Sequence, residues 1–211
     1  MKSISLVAFT ASALVSSAAT AGLSVYQQYE TWAFCVNNGI LLPGGVPETI
    51  ITENFNSYSG AYANPLVGST GPIAWTANAV DFNGATPSLF ASNGWLSTAG
   101  PDNALNFTFA PGVYAVGGNF FSRNAAFELR PALIGIFFED GSSSIQYVTS
   151  STGFSGFTSQ GLAISSMSVQ VYSSPAGVNY AAVDNLYFGV PSPGALGLLS
   201  LAGLVGGRRR R

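Results

Sequence analysis

Apolar and polar residues alternate with a period of two along much of the central chain, and Gly, Pro, Asn and Ser interrupt the alternation at short intervals. Successive side chains of a strand point to opposite faces, so this pattern predicts half-buried strands separated by turns. It predicts an all-β fold, an antiparallel β-sandwich with jelly-roll-like connections whose first and last strands are paired or adjacent. A closed barrel is the structural alternative. The clearest strands are 105–109, 113–121, 133–139, 144–148, 164–171 and 179–189.

Three local features refine this prediction. Asp140-Gly141 lies between two strands and is a strong hairpin signal. Gly117-Gly118 interrupts an apolar strand and predicts a bulge or bend there. In the last strand the apolar parity changes between Val183 and Leu186, which predicts a second bulge at Asp184-Asn185.

The first half of the chain has a weaker pattern. Residues 50–55 predict a strand, whereas 60–104 are predicted to be rich in loops, with short strands around 73–75 and 80–82. Helical periodicity is hard to find, and we expect no helix longer than two turns in the mature body. Cys35 lies in an apolar, aromatic stretch and is predicted to be a buried, unreactive thiol.

The N-terminal segment 1–21 has the features of a secretory signal peptide. Lys2 is followed by a mostly apolar run over 4–15, and Ala19-Thr20-Ala21 gives the small-x-small pattern that signal peptidase requires. We expect cleavage before Gly22. The alternative, a short N-terminal core helix, is disfavoured because the segment has no acidic or capping residue.

The C-terminal segment 191–211 consists of a breaker, a hydrophobic stretch and a basic end. Pro191 and Pro193, followed by Gly194, precede the apolar run 195–205, which forms a predicted hydrophobic helix. That run is shorter than the roughly 20 residues that comfortably span a bilayer. Positive residues stay on the cytoplasmic side of a membrane. The chain ends in four such residues: Arg208, Arg209, Arg210 and Arg211.

This order of motifs resembles the PEP-CTERM sorting signal of exported bacterial proteins that are processed by exosortases. Ser192 stands where the family usually has Glu. The resemblance implies export across the inner membrane, transient anchoring in that membrane by the tail, and cleavage near 191–194 by an exosortase-type transpeptidase. Release to the cell surface or an extracellular matrix would follow. A permanent C-terminal anchor is the alternative.

The body between these segments, 22–190, also carries a resemblance. The segments 116–121, 154–159 and 183–189 are similar to parts of the uncharacterised β-sandwich domains that often precede such tails. Those domains resemble carbohydrate-binding modules in architecture. A likeness of this kind implies a fold and does not assign a function.

Composition excludes several kinds of chemistry. The chain has no His and one Cys, so it can form neither a Ser-His-Asp or Cys-His centre nor an internal disulfide. The formal net charge of −2 includes Lys2 and the four terminal arginines. Without them, the body has Arg123 and Arg130 against nine acidic residues, a formal charge of −7. A surface of that charge is unsuited to nucleic acid.

The carboxylates allow two further hypotheses. A small secreted glycan hydrolase would need two carboxylates at a set separation, and no pair is marked out by its spacing. Hard cations prefer carboxylate and carbonyl oxygens. Glu53 on the first clear strand and Asp184 on the last are therefore candidate ligands of a structural Ca²⁺, with Asn185 nearby. Alternatively, Glu53 is solvated and Asp184 caps backbone amides at the bulge.

Aromatic residues suggest a binding role. Sugar rings stack on flat aromatic side chains, and amides and carboxylates bind the hydroxyls. Most of the aromatics are expected to fill the core, and Trp95 is the one that we expect to be exposed. Candidate polar partners are Asn78, Asn83, Asn93 and Asp81. The first hypothesis is therefore a non-enzymatic surface or matrix protein that associates with extracellular polysaccharide or with other matrix components, and the second is the hydrolase.

Overall fold

The computed structural model describes residues 22–81, 87–148, 153–172 and 178–191. These residues form two antiparallel sheets. The elements in chain order are β1 (Leu23–Tyr26), α1 (Tyr29–Asn37), β2 (Glu48–Glu53), β3 (Gly60–Tyr62), β4 (Leu66–Thr70), β5 (Ile73–Val80), β6 (Leu89–Ser92), β7 (Trp95–Thr98), β8 (Ala104–Phe109), β9 (Ala115–Asn124), β10 (Leu129–Arg130), β11 (Ala132–Phe138), β12 (Ser143–Val148), β13 (Phe154–Ser159), β14 (Ile164–Val171) and β15 (Asn179–Pro191).

Nine strands form the larger sheet and six the smaller. The larger has the order β1-β13-β9-β15-β7-β6-β3, with β10 paired to β9 and β2 paired to β15. The smaller has the order β12-β11-β14-β8-β5-β4. Two separate antiparallel sheets confirm the predicted sandwich. Because β2 pairs with β15, the expected pairing of the first clear strand with the last is also confirmed.

The core between the sheets is strongly aromatic. Phe55, Trp75, Phe107 and Phe188 are almost completely buried there. The Phe55 and Trp75 rings meet nearly edge to face, with centroids 5.8 Å apart. Edge-to-face contacts of this kind add to the hydrophobic gain of burial.

The predicted hairpin is confirmed between β11 and β12. Gly141 has a φ of 82°, a conformation that favours glycine. The Asp140 carboxylate accepts hydrogen bonds from the backbone N–H of Ser142 at 2.9 Å and from its hydroxyl at 2.6 Å. These two bonds close the turn that joins the strands.

The prediction of a loop-rich region over 60–104 is wrong, because five strands, β3 to β7, lie there. Strand β5 alternates regularly, with Ile73, Trp75, Ala77 and Ala79 buried. Two of the four inward residues are alanines, which weakened the apolar signal. The predicted short strand over 80–82 is the end of β5 at Val80, and Phe82 lies outside the described residues.

The expectation that the body has no helix longer than two turns is also wrong. Helix α1 has nine residues, or about 2.5 turns. Trp32 and Val36, four residues apart, are its fully buried positions, and the Asn38 amide donates to the carbonyl oxygen of Phe34 at its end. Cys35 on this helix is a free thiol that is partly exposed and not fully buried as predicted.

Helix α1 covers part of the outer face of the nine-stranded sheet. Its Trp32 indole N–H donates to the carbonyl oxygen of Phe157 at 3.3 Å, and the ring lies over Gly156. A Cβ at Gly156 would come within 2.5 Å of Trp32 Cδ1 and 2.7 Å of the Phe154 ring. Glycine at this position therefore lets the helix reach the sheet.

A bulge interrupts β15 where it was predicted. The register shifts between Asp184 and Leu186, and Asn185 between them has a φ of 55°. The prediction of a bulge or bend at Gly117-Gly118 is wrong, because β9 continues through both residues. Gly118 lies opposite the β15 bulge instead. A Cβ at Gly118 would come 2.8 Å from the carbonyl oxygen of Asn185, so its missing side chain makes room for that bulge.

The predicted signal peptide, 1–21, and all of the predicted tail except Pro191 lie outside the described residues. Pro191 ends β15, directly opposite Glu48 of β2. The described ranges contain no helix of the length and apolarity that a membrane span requires.

Glu48 is a buried carboxylate at the edge of the cluster formed by α1 and the sheet. Only 4% of its surface is exposed, and its Oε2 has no hydrogen-bond partner among the described residues. A Cβ placed on Gly189 would overlap that oxygen and would contact Val36 and Ala115. Burial raises the pKa of Glu48 to about 7, because the charged form loses its hydration.

Replacing Gly156 tests the packing of α1. We expect Gly156→Ala to lower the free energy of unfolding by about 1–3 kcal/mol, because overpacking displaces the Trp32 ring. Gly161→Ala is the matched control, since a Cβ there meets nothing within 4 Å. Urea denaturation measures both, and equal stabilities of the two variants would contradict this packing.

Glu48 also predicts a dependence of stability on pH. The folded-state pKa of about 7 lies above the ordinary glutamate value of 4.5, so the folded protein binds the proton more tightly than the unfolded chain does. The contribution of Glu48 to stability is therefore fully present below pH 4.5 and is lost as the pH rises from there through 7, by about 3 kcal/mol in total. Urea denaturation at intervals between pH 5 and 8 should show the loss, and Glu48→Gln should reduce it. An unchanged pH profile in Glu48→Gln would contradict the assignment.

Candidate functional site

The outer face of the six-stranded sheet carries transverse rows of small polar side chains. Directly paired residues on neighbouring strands point to the same face. In the first row, Ser166 of β14, Thr108 of β8 and Thr76 of β5 are directly paired. In the next row, Ser168, Asn106 and Asn78 are paired in the same way. The sheet therefore presents amides and hydroxyls, and no charged side chain, along these two rows.

An open cleft of about 580 Å³ lies on this face, and we call it the amide cleft. It contains three asparagines, two hydroxyl residues, one carboxylate and one exposed aromatic ring, and its described lining residues are Asn64, Asn78, Ala79, Val80, Asp81, Pro87, Asn106, Thr108, Phe137, Ser166 and Met167. Phe137 is 37% exposed. Its ring occupies the space over Gly135, where a Cβ would lie 3.3 Å from the ring.

Two of the cleft asparagines differ in how their amides are used. The Asn64 side chain is held by the backbone of Ala79, to which its amide donates at 2.7 Å and from whose N–H it accepts at 3.1 Å. Asn106 Oδ1 is buried and has no hydrogen-bond partner among the described residues. Buried polar atoms are usually paired, so Asn106 Oδ1 is an unused acceptor beneath the surface of the cleft.

A second concavity, of about 370 Å³, lies on the outer face of the nine-stranded sheet beside the part that α1 covers. We call it the Trp95 pocket. Its described lining residues are Trp95, Asn119, Phe121, Arg123, Phe127, Leu129 and Asp184. Trp95 is directly paired with Asp184, and Asp184 with Asn119, so these side chains share one face.

Arg123 lines the Trp95 pocket and is only 8% exposed. Its guanidinium carbon lies 4.7 Å from the ring centroids of both Trp95 and Phe127, and 4.8 Å from that of Tyr180. Burial lowers the pKa of Arg123, and burial also raises the pKa of Asp184. Each charged group of this pocket is thus partly shielded from water.

The structure separates residues that the sequence analysis grouped as one sugar site. Trp95 is the only one of the three tryptophans that is not almost completely buried, and it lies in the Trp95 pocket. Asn78 and Asp81 lie in the amide cleft on the other sheet. Asn93 is in the turn between β6 and β7, with a φ of 51°, and Asn83 lies outside the described residues.

The two predicted calcium ligands are not brought together. Glu53 is paired with Leu186, a core residue, and therefore faces the six-stranded sheet. Asp184 faces the Trp95 pocket on the opposite side of the nine-stranded sheet. The bulge at Asn185 separates the two orientations. A cation at Glu53 would need ligands other than Asp184, and no cluster of three or more Asp, Glu or Cys occurs within the described ranges.

Glu53 instead takes part in a chain of hydrogen bonds between the two sheets. Its Oε1 accepts from the backbone N–H of Phe55 at 2.9 Å, and its Oε2 accepts from the Thr70 hydroxyl at 3.0 Å. The Thr70 hydroxyl in turn accepts from the Trp75 indole N–H at 3.2 Å. The carboxylate thus ties β2 to β4 and β5.

The sequence did not predict roles for Arg123, Phe137 or the paired polar rows. The polar rows had a sequence signal, because 76 and 78, 106 and 108, and 166 and 168 are polar residues spaced two apart in strands. Which strands are neighbours, and in which register, could not be found from those positions. Only the pairing of β5, β8 and β14 brings these three short polar patterns together on one face of the sheet.

The described residues form a two-sheet antiparallel β-sandwich that has a polar cleft with a single carboxylate on one sheet and an aromatic pocket on the other. No family model matches the chain, and no curated protein matches it. Among solved structures it is similar to a family 29 carbohydrate-binding module, CBM29-2, complexed with mannohexaose. That likeness has a TM-score of 0.38 and 12% identity, and covers 70% of this chain and 94% of that one.

Two further solved structures are similar at lower scores. The CBM22-1 xylan-binding domain of Paenibacillus barcinonensis Xyn10C has a TM-score of 0.31 and 14% identity, over 69% of this chain and 97% of that one. The family 11 carbohydrate-binding module of the Clostridium thermocellum cellulase Lic26A-Cel5E has a TM-score of 0.27 and 12% identity, over 69% of this chain and 96% of that one. At these scores the likeness says nothing about what this chain binds.

The inter-sheet chain of hydrogen bonds can be tested at Thr70. We expect Thr70→Val to lower the free energy of unfolding by about 1–3 kcal/mol, because the Trp75 N–H and one Glu53 oxygen lose their partner. Thr52→Val is the matched control on exposed β2 surface and should change stability by less than about 0.5 kcal/mol. Urea denaturation compares the two, and a loss at Thr70 no larger than at Thr52 would contradict this role of Glu53.

Proposed function

We propose that the protein is an exported, non-enzymatic surface or extracellular-matrix protein whose β-sandwich binds a neutral glycan in the amide cleft. The observation that carries the proposal is the composition of this cleft. Amides and hydroxyls lie side by side over several strands, next to a partly exposed aromatic ring.

The chemistry of these groups matches that of a sugar. Each sugar hydroxyl both donates and accepts hydrogen bonds, and so do asparagine amides and Ser or Thr hydroxyls. Neighbouring strands are about 4.8 Å apart, so the distance from β11 to β5 is about 14 Å. That length accommodates a short oligosaccharide laid across the strands, whose hydroxyls meet Asn78, Asn106, Thr108 and Ser166.

Phe137 supplies the apolar part of the site. The ring stands at the β11 end of the first polar row, directly paired with Ser166. The flat face of a sugar ring removes apolar surface from water when it stacks on an aromatic ring. Because the lining carries little charge, the preferred ligand is neutral.

The export part of the proposal rests on the predicted signal peptide and tail. Signal peptidase would remove 1–21. The tail would hold the protein transiently in the inner membrane until an exosortase-type transpeptidase cut near 191–194. The body would then be released to the cell surface or matrix, where polysaccharide is the abundant ligand.

The alternative function, a glycan hydrolase, requires two carboxylates across one site. Of the described residues that line the amide cleft, only Asp81 is a carboxylate. Of those that line the Trp95 pocket, only Asp184 is a carboxylate. This distribution favours binding over hydrolysis.

Calorimetric titration of the full chain with mannohexaose, cellohexaose and xylohexaose tests the proposal. A polyoxyethylene detergent keeps the apolar tail in solution without adding a sugar headgroup. We expect at least one hexaose to bind and Phe137→Ala to weaken it about tenfold or more, through the loss of an aromatic anchor. Phe34→Ala removes an equally large side chain, 61% exposed, from α1 and should leave the affinity unchanged.

Retention on the producing cell's own exopolysaccharide, with calcium and with a chelator, provides the second measurement. Absence of binding to all three hexaoses and to the exopolysaccharide would refute the proposal. Shortened oligosaccharides in the titrated samples, detected by mass spectrometry, would favour the hydrolase instead.

A further inference from the structure

Arg123 is an unusual charge in this molecule. The body has only two basic residues, and both lie in the hairpin formed by β9 and β10. The other one, Arg130, is exposed and forms an ion pair with Glu128 at 2.8 Å. Arg123 is nine-tenths buried, and no carboxylate of the described residues lies within 4 Å of it. Of the two basic side chains among the described residues, the one without an ion pair is therefore buried in the lining of a pocket.

The contacts of Arg123 do not use all of its donors. Its Nη2 donates to the Ser97 hydroxyl at a long 3.4 Å, and its buried Nε has no hydrogen-bond partner among the described residues. Three aromatic rings stabilise the positive charge, but ring contacts do not replace hydrogen bonds to the N–H groups. A guanidinium offers its donors in a fork that matches a carboxylate.

Hydrogen bonds within the protein hold the turn at the rim of the Trp95 pocket. The Asn124 carboxamide oxygen accepts from the backbone N–H groups of Ala126 and Glu128 at 3.0 and 2.9 Å. Its amide donates to Glu128 Oε2 at 2.7 Å. These bonds fix the turn that carries Phe127, which is 63% exposed at the pocket's rim.

Asp184 limits the kind of anion that fits. It lies in the same pocket, and its Oδ1 accepts from the Asn185 amide at 2.8 Å. The negative charge of Asp184 repels a doubly charged anion such as phosphate, but its carboxylate is a good acceptor for a hydroxyl. The pocket therefore suits a ligand with one negative charge, hydroxyl groups and an apolar face.

We propose that the Trp95 pocket is a second glycan site that binds a uronic acid residue. The sugar carboxylate accepts hydrogen bonds from Arg123, a sugar hydroxyl donates to Asp184, and the ring rests against Phe127. This inference rests on the proposed glycan-binding role but uses a different sheet, different residues and a different ligand. The two sites together would hold a polymer that contains both neutral and acidic sugars.

Titration of the full chain with trigalacturonate tests the charge requirement, because its methyl ester is a matched neutral ligand. We expect trigalacturonate to bind and the ester to bind at least tenfold more weakly. Arg123→Gln should weaken trigalacturonate at least tenfold, whereas Arg130→Gln, the matched control, should leave its affinity unchanged.

Two further variants keep the test decisive if Arg123→Gln fails to fold. Phe127→Asn removes the ring but tolerates the φ of 63° at this position, and should weaken trigalacturonate severalfold. Asp184→Asn removes the repulsion of the sugar carboxylate. The affinity for trigalacturonate should fall by no more than the loss of one hydrogen bond to a sugar hydroxyl explains.

The amide cleft and the uronic acid site can be refuted independently of each other. If Phe137→Ala weakens neutral hexaoses while trigalacturonate does not bind, the amide cleft stands and the uronic acid site is refuted. Equal binding of trigalacturonate and its ester would refute it too, and so would tighter binding of inorganic phosphate. If trigalacturonate binds through Arg123 and no neutral glycan binds, the amide cleft is refuted alone.

Discussion

The bulge at Asn185 is the constraint on which the arrangement of the nine-stranded sheet depends. Before it, β15 pairs with β7 through Ala182–Asp184, and after it the same side of the strand pairs with β2 through Leu186–Pro191. The extra residue restores the inward direction at Leu186, so that Val183 and Leu186 both reach the core. Asp184 is left facing outward into the Trp95 pocket, and Tyr187 packs with the cluster beneath α1. One residue thus divides the outer face of this sheet into a covered half and an open half.

The two sheets consequently differ in what they present to solvent. Trp32 and Val36 of helix α1 cover part of the outer face of the larger sheet. The uncovered part of that face contains the Trp95 pocket, where the Arg123 guanidinium contacts aromatic rings. Among the described residues, no helix covers the rows of amides and hydroxyls on the smaller sheet. The charges differ in the same way, because the amide cleft has one carboxylate in its described lining, whereas the lining of the Trp95 pocket contains both an arginine and an aspartate. The proposed ligands, neutral in one case and acidic in the other, follow from this difference.

The sequence predicted those features that depend on neighbours along the chain. The parity change between Val183 and Leu186 located the bulge, and Asp140-Gly141 located the hairpin. Features that depend on contact between distant segments were not predictable. Gly118 resembled a bulge because a strand glycine usually marks one, but it accommodates the bulge of a strand far along the chain. Glu53 and Asp184 are on adjacent strands, yet the extra residue at 185 turns them to opposite faces, and spacing alone does not reveal that. Arg123 looked ordinary because its burial comes from Trp95 and Tyr180, which join it only in the folded sheet.

The central claim is that the sandwich has two separate glycan sites, one on each sheet. Chemical-shift mapping of backbone amides in the full chain, with mannohexaose and trigalacturonate added in turn, tests it most directly. We expect mannohexaose to shift the amide signals of β5, β8, β11 and β14, and trigalacturonate to shift those of β7, β9 and β15. Shifts on one sheet for both ligands, or no shifts on either, would contradict it.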